Sequence, residues 1–141
     1  MLEFRKINDW LSVSPQICAA DVIDIQRAGY VAIVNNRPDG EEVNQPWNDD
    51  IEEEAQRLGI PYHYVPVINA PYAPKMIEKT RQLLENYQER GPILFFCRTG
   101  TRATHLWAYS QTRKTPVVEL VTMAADAGYD LSKIESDLLK E

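Results

Sequence analysis

The stretch FFCRTGTRA at residues 95–103 places a cysteine, a glycine and two arginines within a few positions of one another. Cys97 follows an apolar run, and Arg98 and Arg102 stand one and five positions after it. Cysteines at helix N-termini beside cationic side chains are stabilised as reactive thiolates. The stretch therefore predicts a catalytic site with Cys97 as the nucleophile. The alternative is that Cys97 packs as a small apolar residue, as free cysteines commonly do.

The residues after Cys97 suit a loop that binds an anion. Gly100 permits a positive φ that a side chain would oppose, and consecutive N–H groups in such a loop converge on one point. A planar guanidinium closes over bound oxygens with two parallel hydrogen bonds, which makes Arg102 the predicted clamp. Arg98 fits the loop and a solvated surface position equally well. The predicted anion-binding loop comprises Arg98, Thr99, Gly100 and Thr101.

Apolar segments alternate with helical patterns along the chain. Two short strands are predicted on either side of Asn8 and Asp9, and buried strands at 30–36, 60–67 and 92–96. Apolar spacing and capping residues predict helices within 19–29, 48–59, 74–91, 103–113, 115–128 and 131–140. Strands that alternate with helices imply βαβ units. We therefore predict a single α/β domain over residues 1–141, with a mostly parallel central sheet flanked by helices and a helical C-terminal third.

This order of elements positions the cysteine loop. The strand at 92–96 runs into Cys97 and a helix begins near Arg102, so the thiol lies at the carboxyl edge of the sheet, where α/β proteins bind ligands. Two helix starts are also predicted from local chemistry. Asn48 or Asp49 caps one helix, and Thr115 caps another whose first residue is Pro116.

Composition excludes several classes of function. The chain has 141 residues and a net charge of −6, which disfavours a nucleic-acid-binding protein because phosphate contacts need clustered Lys and Arg. No apolar run approaches the ~18 residues of a membrane span. The N-terminal residues MLEFRKINDWLS lack the apolar core of a secretory signal, so a cytoplasmic location is expected.

The cysteines and histidines do not form a metal-binding pattern. The chain has two of each, scattered singly, so no metal and no cofactor is predicted. Two distant cysteines without an export signal are expected to stay reduced. Cys18 is expected to be a small buried residue near a helix start.

Four segments together resemble a known family. VSPQI (13–17), NNRPDGE (35–41), GIPYHYVPV (59–67) and FCRTGTR (96–102) occur in the order found in the phosphatase-like domain of beta-lactamase-hydrolase-like proteins. Some members of that family are called sulfur transferases. The resemblance covers roughly residues 3–113 and implies a fold similar to the tyrosine-phosphatase-like, or dual-specificity, proteins.

The resemblance also implies roles for individual residues. Cys97 matches the nucleophile of this family and Arg102 its anion-clamping arginine. The NNRPDGE segment resembles a loop at the same rim, which makes Arg37, Asp39 and Glu41 candidate pocket residues. An equally good interpretation is structural, with Asp39 in a turn and Arg37 in an ion pair.

The loop is shorter than the phosphatase pattern. Four residues separate Cys97 from Arg102, one fewer than in ordinary tyrosine-phosphatase-like enzymes. One residue contributes at most ~3.3–3.6 Å of contour, enough to tighten a ring that must surround a phosphoryl group. Rhodanese-like sulfurtransferases resemble this chain in loop length and hold a single transferable sulfur. A rhodanese fold proper is not expected, because only helical patterns follow the cysteine loop.

The supply of a proton also departs from the phosphatase pattern. A phosphomonoester leaving group needs a general acid, which related phosphatases take from an aspartate on the loop after the preceding strand. Here that loop reads PVINAPYAP and has Asn69 in place of an aspartate. His63 and His105 are expected to be packing residues rather than substitute acids.

The residue after Arg102 is Ala103, where related loops often carry a hydroxyl. Thr99, Thr101 or Thr104 are the residues able to replace that hydroxyl.

Sulfur transfer avoids the need for a general acid, because sulfite or a thiolate of low pKa leaves a sulfane donor without a proton. We therefore predict that Cys97 takes sulfur from a small anionic or sulfane donor, forms a persulfide and passes the sulfur to a thiol acceptor. The alternative is a phosphatase that acts through phospho-Cys97. A further alternative is a non-catalytic module that binds anions or senses oxidants through Cys97.

Overall fold

Five short strands form one sheet in the computed structural model, which describes residues 2–141. They are β1 (Arg5–Asn8), β2 (Leu11–Ser14), β3 (Ala32–Asn35), β4 (Tyr62–Tyr64) and β5 (Ile93–Phe96), in the order β1-β2-β5-β3-β4. β1 and β2 are antiparallel, and the other neighbours are parallel. The predicted α/β domain with a mostly parallel sheet is confirmed, and β5, which leads into the cysteine loop, is the central strand.

Six α-helices within the described residues cover the sheet, and the C-terminal third is helical as predicted. They are α1 (Val22–Arg27), α2 (Asn48–Leu58), α3 (Pro74–Tyr87), α4 (Thr101–Gln111), α5 (Val117–Asp126) and α6 (Glu135–Leu139). None of the helices within residues 2–141 is long and apolar enough to cross a membrane.

The alternation of side chains along β5 divides the interior into two cores. Leu94 and Phe96 pack with apolar residues of α1 and α2, whereas Phe95 and Cys97 pack with apolar residues of α3, α4, α5 and α6. Successive side chains of a strand point to opposite faces, so Cys97 belongs to the larger core. Full burial of a large apolar side chain such as Phe95 contributes roughly 1.5–3 kcal/mol.

Strand β4 is shorter than predicted, because regular pairing ends before Pro66. The N–H groups of Val65 and Val67 still donate to the carbonyls of Asn35 and Asn36, at 2.8 and 3.0 Å. Pro66 has no N–H group, so the ladder is interrupted between them. The segment after β4 therefore follows β3 toward the carboxyl edge of the sheet as irregular backbone.

The predicted helix starts at Asn48 or Asp49 and at Thr115 are both shifted. Trp47 occupies the N-cap position of α2, and Pro116 that of α5. The Asn48 side chain is engaged elsewhere, since its Oδ1 accepts hydrogen bonds from the Asn35 amide at 3.0 Å and the Tyr62 hydroxyl at 2.6 Å.

Candidate active site

Cys97 is the first residue after β5 and lies at the carboxyl edge of the sheet, as predicted. Its Sγ accepts a hydrogen bond from the backbone N–H of Gly100 at 3.1 Å. The residue is fully buried, with 0% exposure, as the alternative of a cysteine packed in the core implies. Access of any reactant to Sγ therefore requires a local movement of the surrounding loops.

Gly100 gives the loop its shape. It has a φ of 96° and occupies the N-cap position of α4, so the loop turns directly into the helix. A Cβ at this position would lie 2.7 Å from Cζ of Tyr129, closer than side chains pack. The Tyr129 hydroxyl donates to the carbonyl of Thr99 at 3.0 Å. Residues after α5 thus support the cysteine loop from outside.

The threonines of the loop bond to one another and to the backbone. Thr99 and Thr101 are joined through their hydroxyls at 3.0 Å, and Thr104 donates to the carbonyl of Gly100 at 2.8 Å. In these positions their hydroxyls stabilise the start of α4. The missing hydroxyl at Ala103 is therefore not replaced by a threonine bonded to Sγ.

The guanidinium of Arg102 holds a carboxylate of the protein itself. Its Nη1 and Nη2 donate to Oε2 and Oε1 of Glu41, both at 2.8 Å, and Nη1 also donates to the carbonyl of Val67 at 2.8 Å. This two-point geometry is the one by which arginine binds external carboxylates and phosphates. The oxygens that Arg102 holds in this structure belong to Glu41, and its role as a clamp for a bound anion stays a prediction.

Arg37 connects Glu41 to the rest of the rim. Its side chain is 3% exposed and donates to Glu41 at 2.8 Å and to Glu42 at 2.7 Å. Glu42 also accepts from Arg98 at 2.9 Å. The hydrogen bond from Arg102 is the main reason that the pKa of Glu41 falls to about 2, and Arg37 contributes further. Glu41 is therefore ionised at neutral pH.

These charged side chains line an open pocket of about 460 Å³. Its lining residues are Arg37, Glu41, Glu42, Ile68, Arg98, Thr99 and Arg102. Five of the ten predicted site residues line this pocket, namely Arg37, Glu41, Arg98, Thr99 and Arg102. Cys97, Gly100 and Thr101 do not line it. Asn69 is exposed and follows the lining residue Ile68 in sequence, but it does not line the pocket.

Asp39 has the structural role that the sequence offered as an alternative. Its Oδ1 accepts from the backbone N–H of Asn48 at 2.8 Å, and its own N–H meets the Tyr64 hydroxyl at 3.1 Å. Asp39 therefore fixes the connection between β3 and α2, and it does not line the pocket.

A buried tyrosine–histidine pair joins the loop before α3 to helix α4. The Tyr72 hydroxyl and His105 Nδ1 are 2.8 Å apart. Burial raises the pKa of Tyr72. Burial lowers the pKa of His105, so the imidazole is neutral at pH 7. His105 is a packing residue, as expected.

His63 is also a packing residue. Its Nε2 lies 2.9 Å from the Tyr87 hydroxyl, and partial burial lowers the pKa of its ring.

The expected burial of Cys18 is wrong. This residue is exposed and precedes a single 3-10 turn at Ala19–Asp21. Its N–H and Sγ meet Oδ2 of Asp21 at 2.9 and 3.4 Å. A capping position at the surface accounts for the difference. The chain therefore has one exposed and one buried free thiol.

Four residues of the site were not predicted from the sequence, namely Glu42, Ile68, Tyr72 and Tyr129. Glu42 and Ile68 each adjoin a predicted rim residue, and this adjacency is the signal in the sequence that indicates them. Tyr72 is neither the nucleophile nor the clamp, and it belongs to none of the motifs that were recognised in the sequence. Tyr129 is 30 positions from its partner Thr99, and only the folded chain brings them together.

Comparison with known proteins gives a consistent family match. The model of the family described as beta-lactamase hydrolase-like protein, phosphatase-like domain, matches residues 3–114. A beta-lactamase hydrolase-like protein of Xylella fastidiosa is 39% identical over 105 residues, which are 74% of this chain and 24% of that protein. This chain thus corresponds to about a quarter of the length of that curated relative.

Solved structures show the same fold. A candidate phosphatase from Neisseria meningitidis Z2491 is 34% identical, with a TM-score of 0.81 over 94% of both chains. Tk-PTP in its active form has a TM-score of 0.67 at 18% identity, over 97% of this chain and 93% of that one. The tyrosine-phosphatase-like fold expected from the four sequence segments is confirmed.

Proposed function

The chain belongs to the family of beta-lactamase hydrolase-like phosphatase-like domains, and on this premise we propose that it transfers sulfane sulfur through a persulfide on Cys97. Cys97 is the nucleophile, Arg102 orients the anionic donor, and the amides of residues 98–101 stabilise the charged sulfur. The family match and the fold show that the chain is a phosphatase-like domain.

The ionised state of Glu41 carries this proposal. Glu41 is the carboxylate that Arg102 holds, and its pKa of about 2 leaves it without a proton at neutral pH. The loop at 66–74, which carries the acid in related phosphatases, contains no carboxylate. A reaction whose leaving group needs no proton suits this pocket better than hydrolysis of an alkyl phosphate.

The two transfer steps balance without an added acid or oxidant. In the first, the Cys97 thiolate attacks the outer sulfur of the donor and forms an S–S bond. The bond between that sulfur and the rest of the donor breaks, and its electron pair leaves with sulfite or a thiolate. In the second, an acceptor thiolate attacks the outer sulfur of the persulfide and Cys97 leaves as a thiolate.

The size of the loop favours a single sulfur as cargo. Four residues separate Cys97 from Arg102, and the N–H of Gly100 already lies 3.1 Å from Sγ. Because Cys97 is fully buried, the first step includes a local opening that exposes Sγ.

Intact mass spectrometry tests the proposal. Incubation with thiosulfate or methanethiosulfonate is expected to add one sulfur to the wild-type chain and to Cys18→Ser, but none to Cys97→Ser. Cys18→Ser is the matched control, because Cys18 is the exposed thiol of the chain. Sulfur that is lost in Cys18→Ser and retained in Cys97→Ser would overturn the proposal.

A phosphatase is the second candidate, favoured by the similarity to the candidate phosphatase of Neisseria meningitidis. It would form phospho-Cys97 and hydrolyse it with water, and an aryl phosphate needs no general acid to leave. Aryl phosphate turnover that depends on Cys97, without any sulfur loading, would establish this function instead. Reversible oxidation of Cys97 with neither activity would establish the sensor alternative.

A further inference from the structure

We propose that Glu41 determines the specificity of this site by charge, favouring singly charged sulfane donors over dianions. This inference rests on the proposed sulfur transfer and specifies its donor class. A dianion here means thiosulfate, a phosphomonoester or sulfate. A singly charged donor is a persulfide or an alkanethiosulfonate, in which one charge lies on the reacting end.

Glu41 occupies the hydrogen-bonding face with which Arg102 would bind a donor. Both terminal nitrogens of Arg102 donate to the two Glu41 oxygens at 2.8 Å. Oxygen Oε1 also accepts from Nε of Arg37 at 2.8 Å. An incoming anion therefore competes with an ionised carboxylate of the protein for the clamp.

The Glu41 carboxylate is held in place by its own loop. Its backbone N–H donates to Oε1 of Gln45 at 3.0 Å, and Nε2 of Gln45 donates to the carbonyl of Pro38 at 2.8 Å. Arg37, to which the carboxylate is bound, is buried. The negative charge of Glu41 is therefore a fixed feature of the pocket.

The charge of the pocket gives the direction of the preference. Three guanidinium groups and two carboxylates line it, so replacing Glu41 by a neutral residue would raise the net charge of the lining from +1 to +2. A dianion meets twice the repulsion from Glu41 that a monoanion meets, since Coulomb energy scales with the product of the charges. Glu41 thus weakens the binding of a dianionic donor more than it weakens the binding of a singly charged donor.

Two donors of similar shape isolate this effect. Methanethiosulfonate carries a methyl group where thiosulfate carries a charged oxygen, and both deliver their outer sulfur to a thiolate. Their leaving groups, methanesulfinate and sulfite, differ in intrinsic reactivity. The ratio of kcat/KM for the two donors is therefore compared between variants, so that this difference cancels.

Glu41→Gln is expected to raise kcat/KM for thiosulfate relative to methanethiosulfonate by about tenfold, which corresponds to about 1.4 kcal/mol. The matched control is Glu42→Gln, which removes an equal charge from a carboxylate that contacts Arg37 and Arg98. It is expected to shift the ratio less than Glu41→Gln does, because Glu42 pairs with Arg37 and Arg98 whereas Glu41 is the carboxylate bound to Arg102. An unchanged ratio in Glu41→Gln, or equal shifts in both variants, would overturn the inference.

Calorimetric titration with sulfate separates this inference from the proposed function. Sulfate is a dianion that needs no chemistry to bind, and Glu41→Gln is expected to bind it about tenfold more tightly than the wild type and Glu42→Gln. If neither donor loads Cys97, the sulfur-transfer proposal fails, and the titration still decides the role of Glu41. Equal sulfate affinity in all three proteins would refute that role.

Discussion

At the scale of single residues, Gly100 is the position on which the cysteine loop depends most closely. It has a φ of 96°, donates its N–H to Sγ of Cys97 and has the Tyr129 ring directly against it. Any side chain would add both backbone strain and a steric conflict.

Gly100→Ala is expected to lower the free energy of unfolding by at least roughly 2 kcal/mol, since an overpacking cost of about 1–3 kcal/mol adds to the cost of positive φ. Sulfur loading of Cys97 is expected to fall about tenfold, because the N–H bonded to Sγ is displaced. Urea denaturation and intact mass spectrometry measure the two effects.

Gly40→Ala is the matched control for Gly100→Ala. Gly40 has a φ of 80°, but a Cβ there would meet nothing within 4 Å. Gly40→Ala is expected to lower the free energy of unfolding by only the ~1–2 kcal/mol cost of a side chain at positive φ. Sulfur loading of Cys97 is expected to be normal in this variant. Equal effects in the two variants would contradict the account of Gly100.

The sequence predicted the residues whose roles follow from local order, and missed those set by contacts across the fold. Cys97, Gly100 and Arg102 lie within six positions, so their geometry follows from a strand, a turn and a helix start. The carboxylate of Glu41 on Arg102 joins residues 61 positions apart, and no local pattern encodes that contact.

At the scale of elements, the Tyr72–His105 pair ties helix α4 to the loop between β4 and α3. Tyr72 is 7% exposed and His105 is 8% exposed, so their hydrogen bond is shielded from water. The pair fixes the orientation of α4, whose first residues complete the cysteine loop.

Tyr72→Phe is expected to lower the free energy of unfolding by about 1–2 kcal/mol, because it leaves the buried Nδ1 of His105 without a partner. Tyr87→Phe removes a similar hydroxyl from His63, but this pair is only partly buried. The expected loss there is about 0.5 kcal/mol, since water can replace the hydroxyl. Urea denaturation compares the variants, and a larger loss in Tyr87→Phe would contradict this assignment.

Elements with a strong pattern were predictable, and their ends were less so. Helix α3 was predictable from apolar residues at helical spacing, and strand β5 from a continuous apolar run. The early end of β4 depends on a proline within a paired segment. The start of α2 depends on tertiary bonds of Asn48, which local capping preference cannot include.

At the scale of the whole molecule, the site depends on the C-terminal segment as well as on the residues of the family match. The family match ends at residue 114, but α5 and α6 lie beyond it. Leu120, Ala124 and Leu138 of these helices are part of the larger core, and Tyr129 contacts the cysteine loop. The C-terminal helices are therefore part of the domain that carries the site.

The ion pairs of Glu41 predict a specific loss of stability in acid. The pKa of Glu41 falls from 4.5 to about 2 on folding, so its contribution is fully present above about pH 4.5 and is lost as the pH falls toward 2. Solvent screening limits that contribution to roughly 1 kcal/mol. The difference in unfolding free energy between the wild type and Glu41→Gln is expected to shrink over this window. A difference that stays constant from pH 5 to pH 2.5 would contradict the assignment.

The central claim is that Cys97 carries a transferable sulfur, and the mass of its peptide after donor loading tests this most directly. Digestion of the loaded protein is expected to give the Cys97 peptide with one additional sulfur. Treatment of the loaded protein with a thiol acceptor before digestion is expected to remove that sulfur. The Cys18 peptide is expected to be unchanged. An unmodified Cys97 peptide after incubation with both donors would contradict the claim.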